Sequence, residues 1–227
     1  MTEPGAKGPD DRAAPKLRQR AYDAFTQRLL AREIMPGQFV SQRELAELTG
    51  LPLGAIREVV PRLEAEGLIA TVPQRGMQVA QIDLSLVKNA FQLRLFLERE
   101  AVALFATNAS DAEIARLDAA HQDIVRRAAA GMSPELVEEA QAVDRDLHHT
   151  IIDHLDNEII SDAFRIIWIK VRMISQAGTR LYDRLVVPVM QDHLKITAAL
   201  VARDPVLAAA AMTEHIERAR RRAMGLE

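Results

Sequence analysis

Apolar residues along the first eighty positions change their spacing in a definite order. Leu17, Ala21, Phe25 and Leu29 recur at helical intervals over Lys16 to about Ala31. Glu33 to Val40 reads as a turn, broken by Pro36-Gly37, followed by a short extended segment. Ser41-Gln-Arg-Glu44 is a capping box, whose hydroxyl and carboxylate satisfy free backbone N–H groups at a helix start. It predicts a short helix over Gln42 to Leu48, with Leu45 and Leu48 turned inward. Gly50-Leu-Pro52 is a tight turn, and a helix from about Leu53 to Glu66 carries Ile56, Val59, Val60 and Leu63 until Gly67 stops it. Leu68 to Val72 and Met77 to Ala80 are β-like runs flanking Pro73-Gln-Arg-Gly76, a hairpin tip. Helix, helix, turn, helix and hairpin in succession predict a winged helix-turn-helix, whose helix after the turn enters the major groove of DNA.

From Asp83 onward the periodicity is helical throughout. Leu84 to Thr107 places Leu86, Val87, Ala90, Leu93, Leu97, Ala101 and Leu104 on a broad apolar stripe. Ser110-Asp-Ala-Glu113 is a second capping box and opens a helix that Gly131 ends. Ser133-Pro134 is an N-cap followed by proline at the first helical position, starting a helix to about Leu155. Asn157 marks a turn or cap. Glu158 to about Gln176, Arg184 to Ala202 and Pro205 to Met224 complete the series, the last two joined at Asp204. Helices with connections this short predict an antiparallel bundle. The fold expected is mostly α: a winged helix-turn-helix at 16–80, an all-helical domain at 84–227, and a polar, disordered arm at 1–15.

Composition narrows the function. Cysteine is absent, which excludes disulfides, thiolate metal sites and cysteine nucleophiles. No apolar run approaches the roughly 20 residues of a membrane span, and the first residues lack the apolar stretch of a signal peptide. A cytoplasmic protein without membrane contact is expected. The net charge of −3 conceals an asymmetry: Lys16 to Ala80 carries +2, and Gln81 to Glu227 carries −4. That division suits DNA contact by the first region alone.

The candidate chemistry lies on the later helices. Asp144 and His148, four residues apart, project from one helix face. His193 precedes Asp204 by 11 residues and His215 follows it by 11. In an antiparallel hairpin turning at Asp204, both lie about 16 Å from the turn at 1.5 Å per residue, which predicts that they are neighbours. One carboxylate and three imidazoles on facing helices form a metal-ligand set. Taken singly, the Asp144/His148 pair also reads as a surface interaction and each histidine as a structural one. His121, His149 and His154 have no part in the set, and His149 points about 100° away from His148.

Specific strings carry a family resemblance. Pro36-Gly37, Arg43-Glu-Leu-Ala46, Ile56-Arg-Glu58, Arg62-Leu-Glu64, Glu66-Gly-Leu68 and Arg75-Gly76 resemble the DNA-binding domain of the GntR family of transcription regulators. The resemblance implies DNA contacts by Arg43 and Arg57 and a wing tip at Arg75 and Gly76 near the minor groove. The chain departs from the family at Pro52-Leu-Gly-Ala55, where a Ser-Arg-Thr-Pro-like start is usual. Pro52 supplies neither a hydroxyl cap nor a backbone donor, and Leu53 has no guanidinium to read guanine.

Arg94-x-x-x-Glu98, Asp144-x-x-Leu-His148, Asn157, His193-Leu194 and His215 resemble the ligand-binding domain of the FadR-like subfamily, the FCD domain. This implies a metal held by Asp144, His148, His193 and His215, with a small carboxylate effector completing its coordination. Zinc or nickel is favoured over manganese by affinity. Arg94 either clamps an anionic group of the effector, as its planar fork allows, or pairs with Glu98 one turn on. The function implied is a ligand-responsive homodimeric repressor on double-stranded operator DNA, and not an enzyme. A metal-dependent hydrolase is the alternative from another class, but His-Glu-x-x-His and Gly-rich phosphate motifs are absent. A constitutive DNA binder with a structural metal is the third reading.

Overall fold

A computed structural model of the chain describes residues 13–177 and 182–226, and these are mostly helical. They fall into two compact units that divide between Ile82 and Asp83. The expected arm lies outside the described residues except at 13–15, which the first helix takes in.

The first unit runs α1 (Ala13–Leu30), β1 (Phe39–Val40), α2 (Gln42–Thr49), α3 (Leu53–Ala65), β2 (Ile69–Val72) and β3 (Gly76–Val79). Ser41 and Glu44 make the expected reciprocal cap at the start of α2, and Gly50 ends it in the left-handed conformation. Leu45 is buried, but Leu48 is 37% exposed, against expectation. Leu45 is the one fully buried residue of α2. The core joins Phe25 and Leu29 of α1 to Ile56, Val59 and Leu63 of α3. A polar clasp holds the same two helices. Tyr22 donates to Glu66 at 2.6 Å, Arg62 pairs with Glu66 at 2.9 Å, and the Arg62 guanidinium lies 3.7 Å over the Tyr22 ring.

The sheet is antiparallel with order β1-β3-β2, so the extended segment before α2 becomes a third strand beside the hairpin. Gly76 is required here by backbone geometry. Its φ is +92°, and a Cβ would meet the Val40 carbonyl oxygen of β1 at 3.2 Å.

The second unit comprises α4 (Leu84–Asn108), α5 (Asp111–Ala130), α6 (Pro134–Asp153), α7 (Glu158–Ala177), α8 (Tyr182–Val201) and α9 (Pro205–Ala223). Side chains placed the boundaries. Ser110 and Glu113 form a capping box, Ser133 and Asp204 cap helices that begin with proline, and the Asn157 carboxamide oxygen accepts from the amides of Ile159 and Ile160. Helix α4 packs against α9 and α7, and α5 against α8. A core cluster ties α5, α6 and α8 together through Ile124, Leu136, Val137, Ala140, Val186 and Met190. Arg203, at the α8–α9 turn, donates to the carbonyls of Ala106 and Ala109 at the end of α4 and pairs with Asp111.

The buried face of α4 differs from the expected stripe. Val87, Phe91, Arg94, Glu98, Val102 and Phe105 lead its inward side, whereas Leu93 and Leu104 are 39% and 50% exposed and Phe96 is 62% exposed. Apolar residues occur around nearly the whole circumference of α4, so periodicity alone did not choose the inward face. Two charged residues on that face belong to the site.

Candidate functional site

His148 of α6, His193 of α8 and His215 of α9 converge inside the helical unit. Their ligand nitrogens lie within 4.8 Å of one another, and all three rings are buried. The Nε2 atoms of His193 and His215 are 3.4 Å apart. Two nitrogens on a tetrahedral ion with bonds of 2.0–2.1 Å would be separated by about 3.3 Å, so this spacing fits a divalent metal. Asp144, one turn before His148, stands at the rim: its Oδ1 is 3.6 Å from His193 Nε2 and 3.9 Å from His148 Nε2. The structure therefore brings together the four residues singled out from sequence.

Protonation suits ligation. Burial, reinforced by the neighbouring imidazoles, holds the His193 pKa well below its ordinary value, and burial and His148 do the same for His215. Both are neutral at pH 7 with lone pairs available.

The orientation of each ring is set by a different neighbour. His148 Nδ1 meets the Glu98 carboxylate, which can only accept, so Nδ1 carries a proton, while the guanidinium of Arg94, which can only donate, faces Nε2. Burial alone would raise the Glu98 carboxyl, but Arg94 and His148 beside it hold it below its ordinary value. Arg94 is itself buried, paired with Glu98 and within 2.8 Å of His148 Nε2. The guanidinium thus donates to the atom that His148 would present to a metal. Between the two roles expected for Arg94, the ion pair with Glu98 is present, and the fork also borders the site.

His121, which spacing had left without a role, packs edge-on against His193 with its Nε2 3.0 Å from His193 Nδ1. Nothing in the sequence marks it, because the contact joins α5 to α8 across 72 positions. His149 turns away as expected, its ring lying edge-on to Phe164 and Trp168. His154 packs on Phe105.

In the first unit, Arg43 on α2 and Arg57 on α3 are exposed and make no ion pair among the described residues. Arg57 therefore lacks the Glu58 or Glu64 partner that a purely structural role would supply. Arg75, between β2 and β3, is exposed, and its guanidinium lies 4.0 Å over the Phe39 ring. Pro52 occupies the N-cap of α3 without any side-chain cap hydrogen bond.

Residues 17–79 match the family model described as bacterial regulatory proteins, gntR family, and residues 89–218 match that of the FCD domain. The chain belongs to the GntR family and carries an FCD domain. It is 28% identical to the Nta operon transcriptional regulator of Aminobacter aminovorans over 81% of this chain and 83% of that one. It is 24% identical to the HTH-type transcriptional repressor RspR of Escherichia coli, over 88% and 86% respectively. Its fold is similar to that of E. coli McbR/YncC, with a TM-score of 0.75 at 19% identity, covering 92% of this chain and 97% of that one. This GntR protein is a transcriptional regulator with a DNA-binding helix-turn-helix. Among the described residues no helix is long and apolar enough to cross a membrane.

Proposed function

We propose that this regulator is a cytoplasmic homodimeric repressor whose operator affinity responds to a small carboxylate metabolite captured at a divalent metal in its helical domain. The observation carrying this reading is the convergence of His148, His193 and His215, with Asp144 at the rim. These four residues would hold the metal. Three nitrogens and one oxygen suit Zn²⁺, with Ni²⁺ and Mn²⁺ also accommodated. Bound there, the ion would supply a positive centre to which a carboxylate could add beyond the four protein ligands.

Arg94, the buried cation beside His148 Nε2, would meet an anion arriving at the site. Its fork matches a carboxylate in two-point contact. Arg43, Arg57 and the wing at Arg75 and Gly76 would contact the operator. The apolar outer face of α4, with Leu93, Phe96 and Leu104, suits coverage by a second copy. Repression is supported by the name of the relative RspR. An effector changes operator affinity only through unequal affinity for the two conformations involved.

The test is a thermal-shift panel of small carboxylates with and without Zn²⁺, followed by titration of a duplex selected from a random library. A carboxylate should raise the melting temperature only when zinc is present, and the same compound should weaken DNA binding. Failure of the wild type to take up any divalent metal, or carboxylate binding that leaves duplex affinity unchanged, would defeat the reading.

A further inference from the structure

We infer that His121 is a positioning residue for the metal centre, holding His193 in the one neutral tautomer that points a lone pair at the metal. This inference rests on the metal reading above. His121 is fully buried on α5, and its Nδ1 lies 2.6 Å from the Leu117 carbonyl oxygen. A carbonyl only accepts, so Nδ1 of His121 carries a proton. In a neutral imidazole that is the one ring proton. Its Nε2 then has a lone pair and no hydrogen.

That lone pair faces His193 Nδ1 at 3.0 Å. For the contact to be a hydrogen bond, His193 must donate from Nδ1. A neutral imidazole carries a single N–H, so His193 Nε2 is left bare. Nε2 is the atom 3.4 Å from His215 Nε2 and 3.6 Å from the Asp144 carboxylate. The order of donors runs without interruption from His193 through His121 to the Leu117 carbonyl. The backbone of α5 thereby dictates which nitrogen of a residue on α8 is open to a metal.

Glu98 performs the corresponding task for His148, with a carboxylate in place of an imidazole. His215 differs, because its buried Nδ1 has no hydrogen-bond partner among the described residues. Two of the three imidazoles are thus fixed from behind by groups on other helices. Such outer partners orient the ring and commonly contribute 10–100-fold to metal affinity.

The experiment uses the full-length chain. Long-range ¹H–¹⁵N correlation of the histidine rings in metal-free protein reports each tautomer. Zn²⁺ affinity follows from competition with a chromophoric chelator. His193 should appear as the Nδ1–H form in the wild type. His121→Leu removes the acceptor and should weaken zinc binding by about 10–100-fold, with loss of that tautomer's signature. His121→Gln keeps a carbonyl that can accept from His193, and should recover most of the affinity. A role in packing alone would leave the tautomer unchanged and would not be rescued by glutamine.

Equal zinc affinity in the wild type and the folded leucine variant would overturn the inference while leaving the metal reading intact. Absence of zinc uptake by the wild type would overturn both. Should the leucine variant fail to fold, the wild-type spectrum still decides: an Nε2–H form of His193 overturns the proposal.

Discussion

The Nε2 atoms of His193 and His215 stand 3.4 Å apart on helices joined at Asp204, from which each residue is 11 positions distant. The cap at Asp204, which accepts from the amides of Val206 and Leu207, fixes where the hairpin turns. Register then follows from equal rise along two antiparallel helices. His148 and Asp144 enter from α6, and the cluster closes inside the bundle, shielded from water. Three buried imidazoles held together in this way are an expensive arrangement for packing alone, since His215 Nδ1 is left without a hydrogen-bond partner among the described residues.

Metal content should therefore depend on His193 and not on His149. His193→Ala removes an imidazole from the buried cluster, whereas His149→Ala alters a ring that faces Phe164 and Trp168. Mass spectrometry after mild zinc supplementation should find near-stoichiometric metal in the wild type and His149→Ala, and a large loss in His193→Ala. The metal should raise the melting temperature by mass action. Equal metal in all three proteins would mean that His193 is an ordinary buried histidine.

Much of this was legible in the sequence because the signals were local. Capping boxes at Ser41 and Ser110, proline after the caps at Ser133 and Asp204, and the spacing of Asp144 and His148 each involve residues within one helical turn. The His193–His215 pairing was long-range but reducible to counting from a turn. The contacts of His121 with His193 and of Glu98 with His148 had no such handle. They depend on how α5 meets α8 and how α4 meets α6, which no spacing along the chain encodes. The inward face of α4 departs from the apolar stripe for a related reason. It buries Arg94 and Glu98, whose charge disguises them in a hydrophobic pattern although each supplies the other's partner.

The metal-free protein should lose stability in mild acid. Burial depresses the pKa of His121, His193 and His215 relative to the unfolded chain, and also that of the partly exposed His149. Above about pH 6.5 both folded and unfolded forms are neutral, and their contribution is complete. Below it the unfolded chain takes up protons that the folded form refuses, so stability falls as pH decreases. Each fully depressed histidine contributes a slope approaching about 1.4 kcal/mol per pH unit in that window. Urea unfolding in the presence of a chelator should give a flat profile above pH 7 and a steady decline from pH 6.5 to 5. Constant stability across that range would mean these rings protonate as readily folded as unfolded.

Arg203 should matter more to stability than its partly exposed position suggests. Its guanidinium serves the carbonyls of Ala106 and Ala109, and its backbone has φ +55°. Arg203→Ala leaves end-of-helix carbonyls without that donor and keeps a Cβ in a left-handed conformation, for a loss of about 1–3 kcal/mol. Arg203→Gly loses the same contacts but suits the backbone, and should be about 1 kcal/mol less destabilised than alanine. Chemical denaturation of the two variants beside the wild type measures both effects. A glycine variant less stable than the alanine one would assign the loss to chain flexibility.

DNA binding should depend on Arg57 and Arg43 with little cost to folding. Both side chains are exposed and make no ion pair among the described residues, so removing either leaves no buried charge behind. Arg57 projects from α3, the helix after the turn, where a guanidinium can reach base edges in the major groove. If it reads a base, Arg57→Ala should weaken binding to the selected duplex by about 1–3 kcal/mol and relax preference at one position. If it touches only phosphate, affinity should fall across all sequences and the salt dependence should drop by about one ion. Arg43, on the helix before the turn, is expected to follow the phosphate pattern. Pro52 and Leu53 supply no cap hydroxyl and no guanidinium at the start of α3, which concentrates base reading on fewer residues and should enlarge the effect of Arg57. Titrations of both alanine variants at several salt concentrations, against the selected duplex and a scrambled one, separate the two modes. Unchanged affinity in both, with melting temperatures equal to the wild type, would remove α3 from the DNA interface.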